Sequence, residues 1–554
     1  MSNFKTALEI YRSKKLGENL HMEYNWNNKD IEENIVQLYF QLVRTNEKEV
    51  IDNLADSFIN IYKVADDIKR IILLKILVNT RDIIKGKGEK DLSYAMLYKL
   101  SFIEPDITKK IIKSFVILDN CHSIGSWADI KIIWSQYNWN DDFTQFFTEL
   151  INNQVKKEEH KTRNISLVAK WVPRETNKHG NLFKILAEDY FHNYILSAKT
   201  HESLIKAKKK CYRNYGKLIT KLSRNIDVTQ IKQCEKRYSE IDFNNVTSIT
   251  INKQKNAFLN KQNIDCQDRK KCAERFNSYI ETCFNNNKNV KGERVSIYDF
   301  IKSAINYNNS KTKNNNLINL LNSQWKDSMK SIDGKLGNFI AMIDTSGSME
   351  CDDCVPLYNA IGLGIRVAEK SVLGKRILSF NTKTSWISLE NEENLTDMVE
   401  KIMSNPVGMN TNLMDSLDLI LSMILYRNIH PSEIPRLTLC IFSDMQVDYK
   451  FKEGISQTLW ESINKKYHDT GIKYHGVPFN TPHILFWNMR STKGFPVITK
   501  QKNVSMLSGF SPTILNIFCN RGYNNLENLN SYDILLNILK IKRYRYIDKL
   551  FYER

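Results

Sequence analysis

No unbroken apolar run of about 18 residues occurs anywhere in the 554-residue chain, which argues against a membrane-spanning helix. Met1-Ser2-Asn3-Phe4-Lys5 is followed by no apolar signal core. The ten cysteines are scattered, without the even spacing of a disulfide framework, and read as reduced thiols. Only ten prolines interrupt the chain, so long helices are permitted. Enzyme signatures are missing too: there is no H-E-x-x-H pair, no G-x-S-x-G elbow and no paired Cys/His signature. Acidic residues fall short of basic ones, 62 against 80, which leaves a net charge of +18. That excess favours an anionic partner, with nucleic acid first and an acidic protein or membrane surface behind it. A lysine-rich solvated surface, shaped by the codon bias of an AT-rich genome, is the alternative. The expected product is a non-enzymatic protein of the cytoplasm, host cytoplasm if the source is viral.

What is present begins after a polar segment, residues 1–29. Ile31, Ile35, Leu38, Tyr39 and Leu42 repeat with helical spacing, and Asp30 with Glu33 reads as a capping box. Helices of 10–20 residues follow, across an α-helical domain spanning 30–330. Their succession suggests an irregular HEAT-like repeat, with a compact bundle as the alternative. Asn-rich tracts near 285–316 read as loops or insertions. From 336 to 530 short apolar runs alternate with helices, which predicts an α/β doubly wound domain around a parallel sheet. Residues 531–554 read as a carboxyl-terminal basic helix.

Asp344, Ser346 and Ser348 alternate along a tight loop at the end of the first apolar run, where open α/β sheets bind ligands. Thr411 opens a helix, and Asp444 closes a second buried strand. Two carboxylates and three hydroxyls make a hard oxygen site suited to Mg²⁺ or another hard divalent cation. One such ion without an evident base gives little support to the alternative of a metal-dependent hydrolase. The adjoining Cys351-Asp352-Asp353-Cys354 lacks the second half of a zinc site.

Lys199–Arg237 is the most basic stretch. Lys206, Lys210, Arg213, Lys217, Lys221 and Arg224 fall at steps of four, three, four, four and three, along one helical face. Such a stripe can follow a phosphate backbone, and the interleaved Tyr212 and Tyr215 can stack on unpaired bases.

The three metal-site segments, in this order, resemble the von Willebrand factor A domain. That resemblance implies that Asp344, Ser346, Ser348, Thr411 and Asp444 hold the ion directly or through water. It also implies that a partner's carboxylate fills an open position. Ser443-Asp444-Met445-Gln446 departs from the Thr-Asp-Gly of many members. Further segments, Arg81–Glu89, Gly125–Asp129, Ser166–Pro173, Cys234–Asp242, Phe486–Arg490 and Leu507–Ser511, look like an uncharacterised family of plants, fungi and large DNA viruses. The order of a helical domain and an A-type domain is also similar to the Ro ribonucleoprotein (TROVE) family, which implies RNA as a partner. A protein-interaction scaffold without a nucleic-acid role is the alternative.

Overall fold

The computed structural model describes residues 14–17, 21–26, 29–119, 121–285, 288–310, 314–332, 334–382, 384–405, 413–446, 458–492, 494–519 and 529–552. It consists of a helical region over residues 30–330 and a mixed, mostly parallel α/β domain after it. No helix among the described residues is long and apolar enough to cross a membrane. None of the ten cysteines is in a disulfide.

Among the described residues there are eight strands: β1 (Lys14–Leu16), β2 (Met22–Tyr24), β3 (Asn338–Asp344), β4 (Arg376–Phe380), β5 (Ser385–Ser388), β6 (Leu437–Ser443), β7 (His483–Asn488) and β8 (Val504–Ser508). β1 and β2 form a hairpin within the polar segment 1–29. The other six run β5-β4-β3-β6-β7-β8, all parallel except β5, which pairs antiparallel with β4. Consecutive residues of β6, β7 and β8 are buried, so both faces of this part of the sheet are covered. The Cys351–Lys370 helix packs on β3, β4 and β6, while the Ile31–Gln41 and Ser531–Leu539 helices pack on β8.

The compact units are cut differently from the sequence ranges. One unites Met1–Met96 with Ile280–Lys549, and the other is made of Leu97–Tyr279 and Leu550–Arg554. One sequence expectation changes with this. Between the Asn-rich tracts 285–289 and 306–316, which lie partly outside the described residues, Ile297–Asn308 is a helix burying Phe300, Ile301 and Ala304. The carboxyl-terminal segment is not one basic helix. It is a helix Ser531–Leu539, a 3-10 turn Lys542–Tyr544 and a helix Arg545–Tyr552. Arg543 is committed to an internal pair, its Nε 2.7 Å from Oδ2 of the fully buried Asp82.

In the sheet-containing unit the Ile31–Gln41 helix is capped by Asp30, which accepts from the amides of Glu32 and Glu33. Glu33 itself does not cap. It is buried and accepts from the Thr499 amide at 2.6 Å. At the other end the helix leaves orphan carbonyls that need donors. Tyr39 O accepts from Lys87 Nζ and Ser508 Oγ, both at 2.6 Å. Phe40 O accepts from Asn488 Nδ2 at 3.0 Å, and Leu42 O from Lys87 Nζ at 2.9 Å. Asn488 and Ser508 are the last residues of β7 and β8 and lie in register. This helix therefore caps the carboxyl ends of two strands.

His483 opens β7, is 1% exposed, and shares a hydrogen bond with Ser505 Oγ at 2.9 Å. Burial holds its pKa down at about 4. The unfolded imidazole titrates near 6.5, so unfolding takes up a proton below that pH. The stability from the neutral ring is complete above pH 6.5 and is lost as pH falls toward the folded value. Between pH 6.5 and 5 this amounts to about 2 kcal/mol. Urea titrations are expected to show that decline, and His483→Gln to flatten it. An equally steep decline in the variant would assign it to other groups.

The second unit is helical. Its longest helix, His201–Ile226, starts at the Thr200 cap and ends at Asp227, whose φ of 46° is left-handed. Cys211, Tyr215, Leu218, Ile219 and Leu222 form its buried stripe against the Gly180–Tyr190 helix. Trp127 is buried, and Trp171 is half-buried with Lys131 and Lys170 over its ring at 5.1 and 5.6 Å.

Candidate cation centre and basic face

β3 and β6 are neighbours, and each delivers a carboxylate at its carboxyl end. Asp344 ends β3 and Asp444 follows β6, and both are fully buried. The loop after Asp344 is tied by the Ser346 amide donating to Asp344 Oδ1 at 2.9 Å. Ser346 Oγ and Ser348 Oγ lie 3.1 Å apart. Ser443 Oγ donates to Asp344 Oδ2 at 2.6 Å, and the Gln446 amide donates to Asp444 Oδ1 at 3.1 Å. Burial, and then the charge of Asp444, push the Asp344 carboxyl well above the ordinary range. Such a pair asks for a positive charge. Arg490 supplies part of it, its Nε 3.5 Å from Asp444 Oδ2.

Four of the five expected ligands, Asp344, Ser346, Ser348 and Asp444, thus lie on the carboxyl edge of two adjacent strands. Thr411 lies outside the described residues. Among the described residues no group of three or more His, Cys, Asp or Glu side chains is placed to hold a metal. Two carboxylates with serine hydroxyls fit a hard cation and offer nothing to a soft one. Ser443 and Arg490 carry no motif signal for this cluster in the sequence, yet they touch Asp344 and Asp444. Both belong to this centre.

Directly after the serines the chain is twisted. Asp352, Asp353 and Cys354 have φ of 50°, 60° and 61°, a left-handed run that L-residues resist. Asp353 is turned to Lys302, 2.6 Å from its Nζ. Asp352, Cys351 and Arg490 face a cavity of about 690 Å³, whose other walls include Trp26, Gln41 and Arg44. Arg44 is held there by a two-point bond to Glu89, at 2.9 and 3.1 Å.

On the helical unit, Lys206, Lys210, Arg213, Lys217, Lys221 and Arg224 are all exposed, on one side of the His201–Ile226 helix. Lys206 pairs with Glu202 at 2.7 Å, and Arg224 lies 3.6 Å from Glu235. Lys210 lies over the Tyr194 ring at 3.9 Å. Arg213, Lys217 and Lys221 have no acidic partner among the described residues. The two tyrosines separate. Tyr212 is half-buried and donates to Glu188. Tyr215 is fully buried, its hydroxyl 2.8 Å from Asn152 Oδ1, so the expectation that it stacks on bases is corrected. A buried ring has no face to offer.

The fold and these sites define a class: a helical region joined to an α/β domain with paired carboxylates at its strand ends. Residues 338–536 match a domain of unknown function, DUF7788, and residues 140–336 match a second domain of unknown function, DUF2828. The chain is also similar to an uncharacterised protein of Acanthamoeba polyphaga mimivirus. The two are 28% identical over 496 residues, 85% of this chain and 79% of the relative. The two matched segments meet at the start of β3, whereas the compact units divide near residues 96 and 280.

Proposed function

We propose that this chain is a non-enzymatic binding protein that engages RNA through the basic face of the His201–Ile226 helix. The observation that carries this reading is the exposure of all six basic side chains on one face, four of them without an acidic partner among the described residues. Phosphates supply such partners, and bound counterions are released when they do. The α/β domain is read as a von Willebrand factor A-type module whose Asp344, Ser346, Ser348 and Asp444, with Thr411, take Mg²⁺. The strand order and the oxygen donors at the ends of β3 and β6 support that reading. The cavity beside Arg490 supports an acidic protein partner, whose carboxylate reaches the ion from there.

The RNA reading is tested with the full chain, since a break near residue 330 divides the sheet-containing unit. If about four phosphates are neutralised, log affinity for a single strand falls with log salt at a slope near −3. Replacing Lys210, Arg213 and Lys217 together by Glu is expected to weaken binding about tenfold at moderate salt, for all sequences alike, and to flatten the slope by about 2. Filter binding across a salt series reads both. No measurable binding at physiological salt, or binding untouched by the three reversals, points to a scaffold without a nucleic-acid role.

A further inference from the structure

Beneath the basic stripe lies an open cavity of about 600 Å³. Arg174, Arg213, Lys217, Lys221 and Arg224 line it, against the single carboxylate of Glu175. Arg174 differs from the others. It follows the short Val168–Trp171 helix and is partly buried, and its Nη2 is held by Ser223 Oγ at 3.2 Å. Its Nη1 is buried with no hydrogen-bond partner. That donor is closed to the cavity as well as to water, so a ligand in the cavity meets the remaining donors of the guanidinium. Burial also draws the Arg174 pKa down, as it does for a cation lacking its anion.

Gly216 lines the same cavity from the middle of the helix. A β-carbon there would meet only Phe183 Cζ, at an ordinary 3.8 Å. Packing does not require glycine at this position, and glycine is the weaker helix former. What it leaves is open space and bare backbone in the wall, between Phe183, Tyr212 and the cations.

We propose that this cavity is a phosphate-binding site in which Arg174 is the geometric anchor and Arg213, Lys217 and Lys221 close around the group. The planar guanidinium presents paired donors to phosphate oxygens, which an ammonium cannot reproduce. This deepens the RNA reading, because one phosphate of the strand is then seated and the rest of the stripe only follows. The site is nonetheless defined by the phosphate itself, from a strand or from a free polyphosphate.

The test uses the full chain, tripolyphosphate and a short oligouridylate, each titrated calorimetrically. Arg174→Lys keeps the charge and loses the planar donors. It is expected to weaken tripolyphosphate binding about tenfold while leaving the salt dependence unchanged. Gly216→Met keeps every charge and fills the cavity from its wall, and is expected to weaken binding to a similar extent. Should Arg174→Lys fail to fold, Gly216→Met carries the test alone. Lys270→Gln, on the Gln267–Asn285 helix and outside both the cavity and the stripe, is the control and changes affinity by less than about threefold. No tripolyphosphate binding by the parent chain overturns the proposal, as does equal binding by the parent and Gly216→Met. Loss of tripolyphosphate binding with oligouridylate binding unchanged assigns the site to a free phosphate compound. Tripolyphosphate binding that depends on Arg174, in a chain that binds no oligouridylate, refutes the RNA reading and leaves the phosphate site standing.

Discussion

Asp344→Asn is expected to lower Mg²⁺ affinity at least a hundredfold while raising the thermal midpoint of the cation-free protein. Both effects come from the same charge. At an effective dielectric of ~20, a unit charge a few ångströms from a divalent ion is worth several kcal/mol. A hundredfold loss needs only about 2.7 kcal/mol. Without the ion, that charge is a liability. Asp344 is fully buried beside Asp444, and its carboxyl is driven up by burial and by that neighbour. Asparagine keeps an oxygen for the Ser346 amide, which donates to Asp344 Oδ1 at 2.9 Å. Its amide group can donate to Ser443 Oγ in place of the bond now running the other way. Calorimetry gives the affinity and differential scanning gives the midpoint. Equal Mg²⁺ affinity in parent and variant removes the centre. A higher midpoint in a pair of proteins that both ignore Mg²⁺ identifies an oxygen cluster that no longer takes an ion.

Lys87→Met is expected to destabilise the chain by about 3 kcal/mol. The ammonium is 4% exposed and donates to Tyr39 O, Leu42 O and Ser508 Oγ at 2.6, 2.9 and 2.6 Å. It also lies 3.7 Å from the Tyr39 ring centroid. Two effects oppose each other. Methionine fills similar volume and abolishes the cost of burying a cation, which pulls the Lys87 pKa well down. It also strips Leu42 O of a donor and leaves Tyr39 O with Ser508 alone. Unmade buried carbonyls cost about 1–3 kcal/mol each. No carboxylate is bonded to the amine to be released in compensation, so the loss dominates. Urea unfolding monitored by tryptophan fluorescence measures it. A change below about 1 kcal/mol would mean that desolvation cancels the three bonds. Gly86 sets up this contact. A β-carbon there would fall 2.0 Å from Asn79 O, so only glycine lets the loop fold back and send Lys87 inward.

Most of the sheet was legible because its strands are short apolar runs that stop at polar residues. β3, β4, β6, β7 and β8 fall where those runs lie. β5 and the β1–β2 hairpin were not visible. They are three or four residues long, and their sequences carry no alternation strong enough to mark a face. The hairpin is also fixed by distant chain, Met22 bridging Thr458 and Tyr24 bridging Phe495. At the carboxyl ends of β3 and β6 the two carboxylates and the neighbouring serines were readable from the sequence. Arg490 was not, because its approach to Asp444 depends on β7 lying beside β6. Arg174 was missed for the same reason, since only packing brings it to Ser223. Tyr215 is a different error. It lies two residues from both Arg213 and Lys217, roughly 200° around the helix. The periodicity that drew the basic stripe already placed it opposite.

The sheet-containing unit closes only when its two chain segments meet, and this sets a schedule for the nascent protein. Residues up to Met96 leave the ribosome well before the strand ends they cap, at Asn488 and Ser508. At 5–20 residues per second the wait is roughly 20–80 seconds. For all that time Ile35, Leu38 and Phe40, each 0% exposed in the finished fold, have no sheet to cover them. The intervening helical unit can fold in that interval, but the first helices cannot mature. During synthesis they are expected to need a holding chaperone, and a ribosome stalled before β7 is expected to leave them open to proteases.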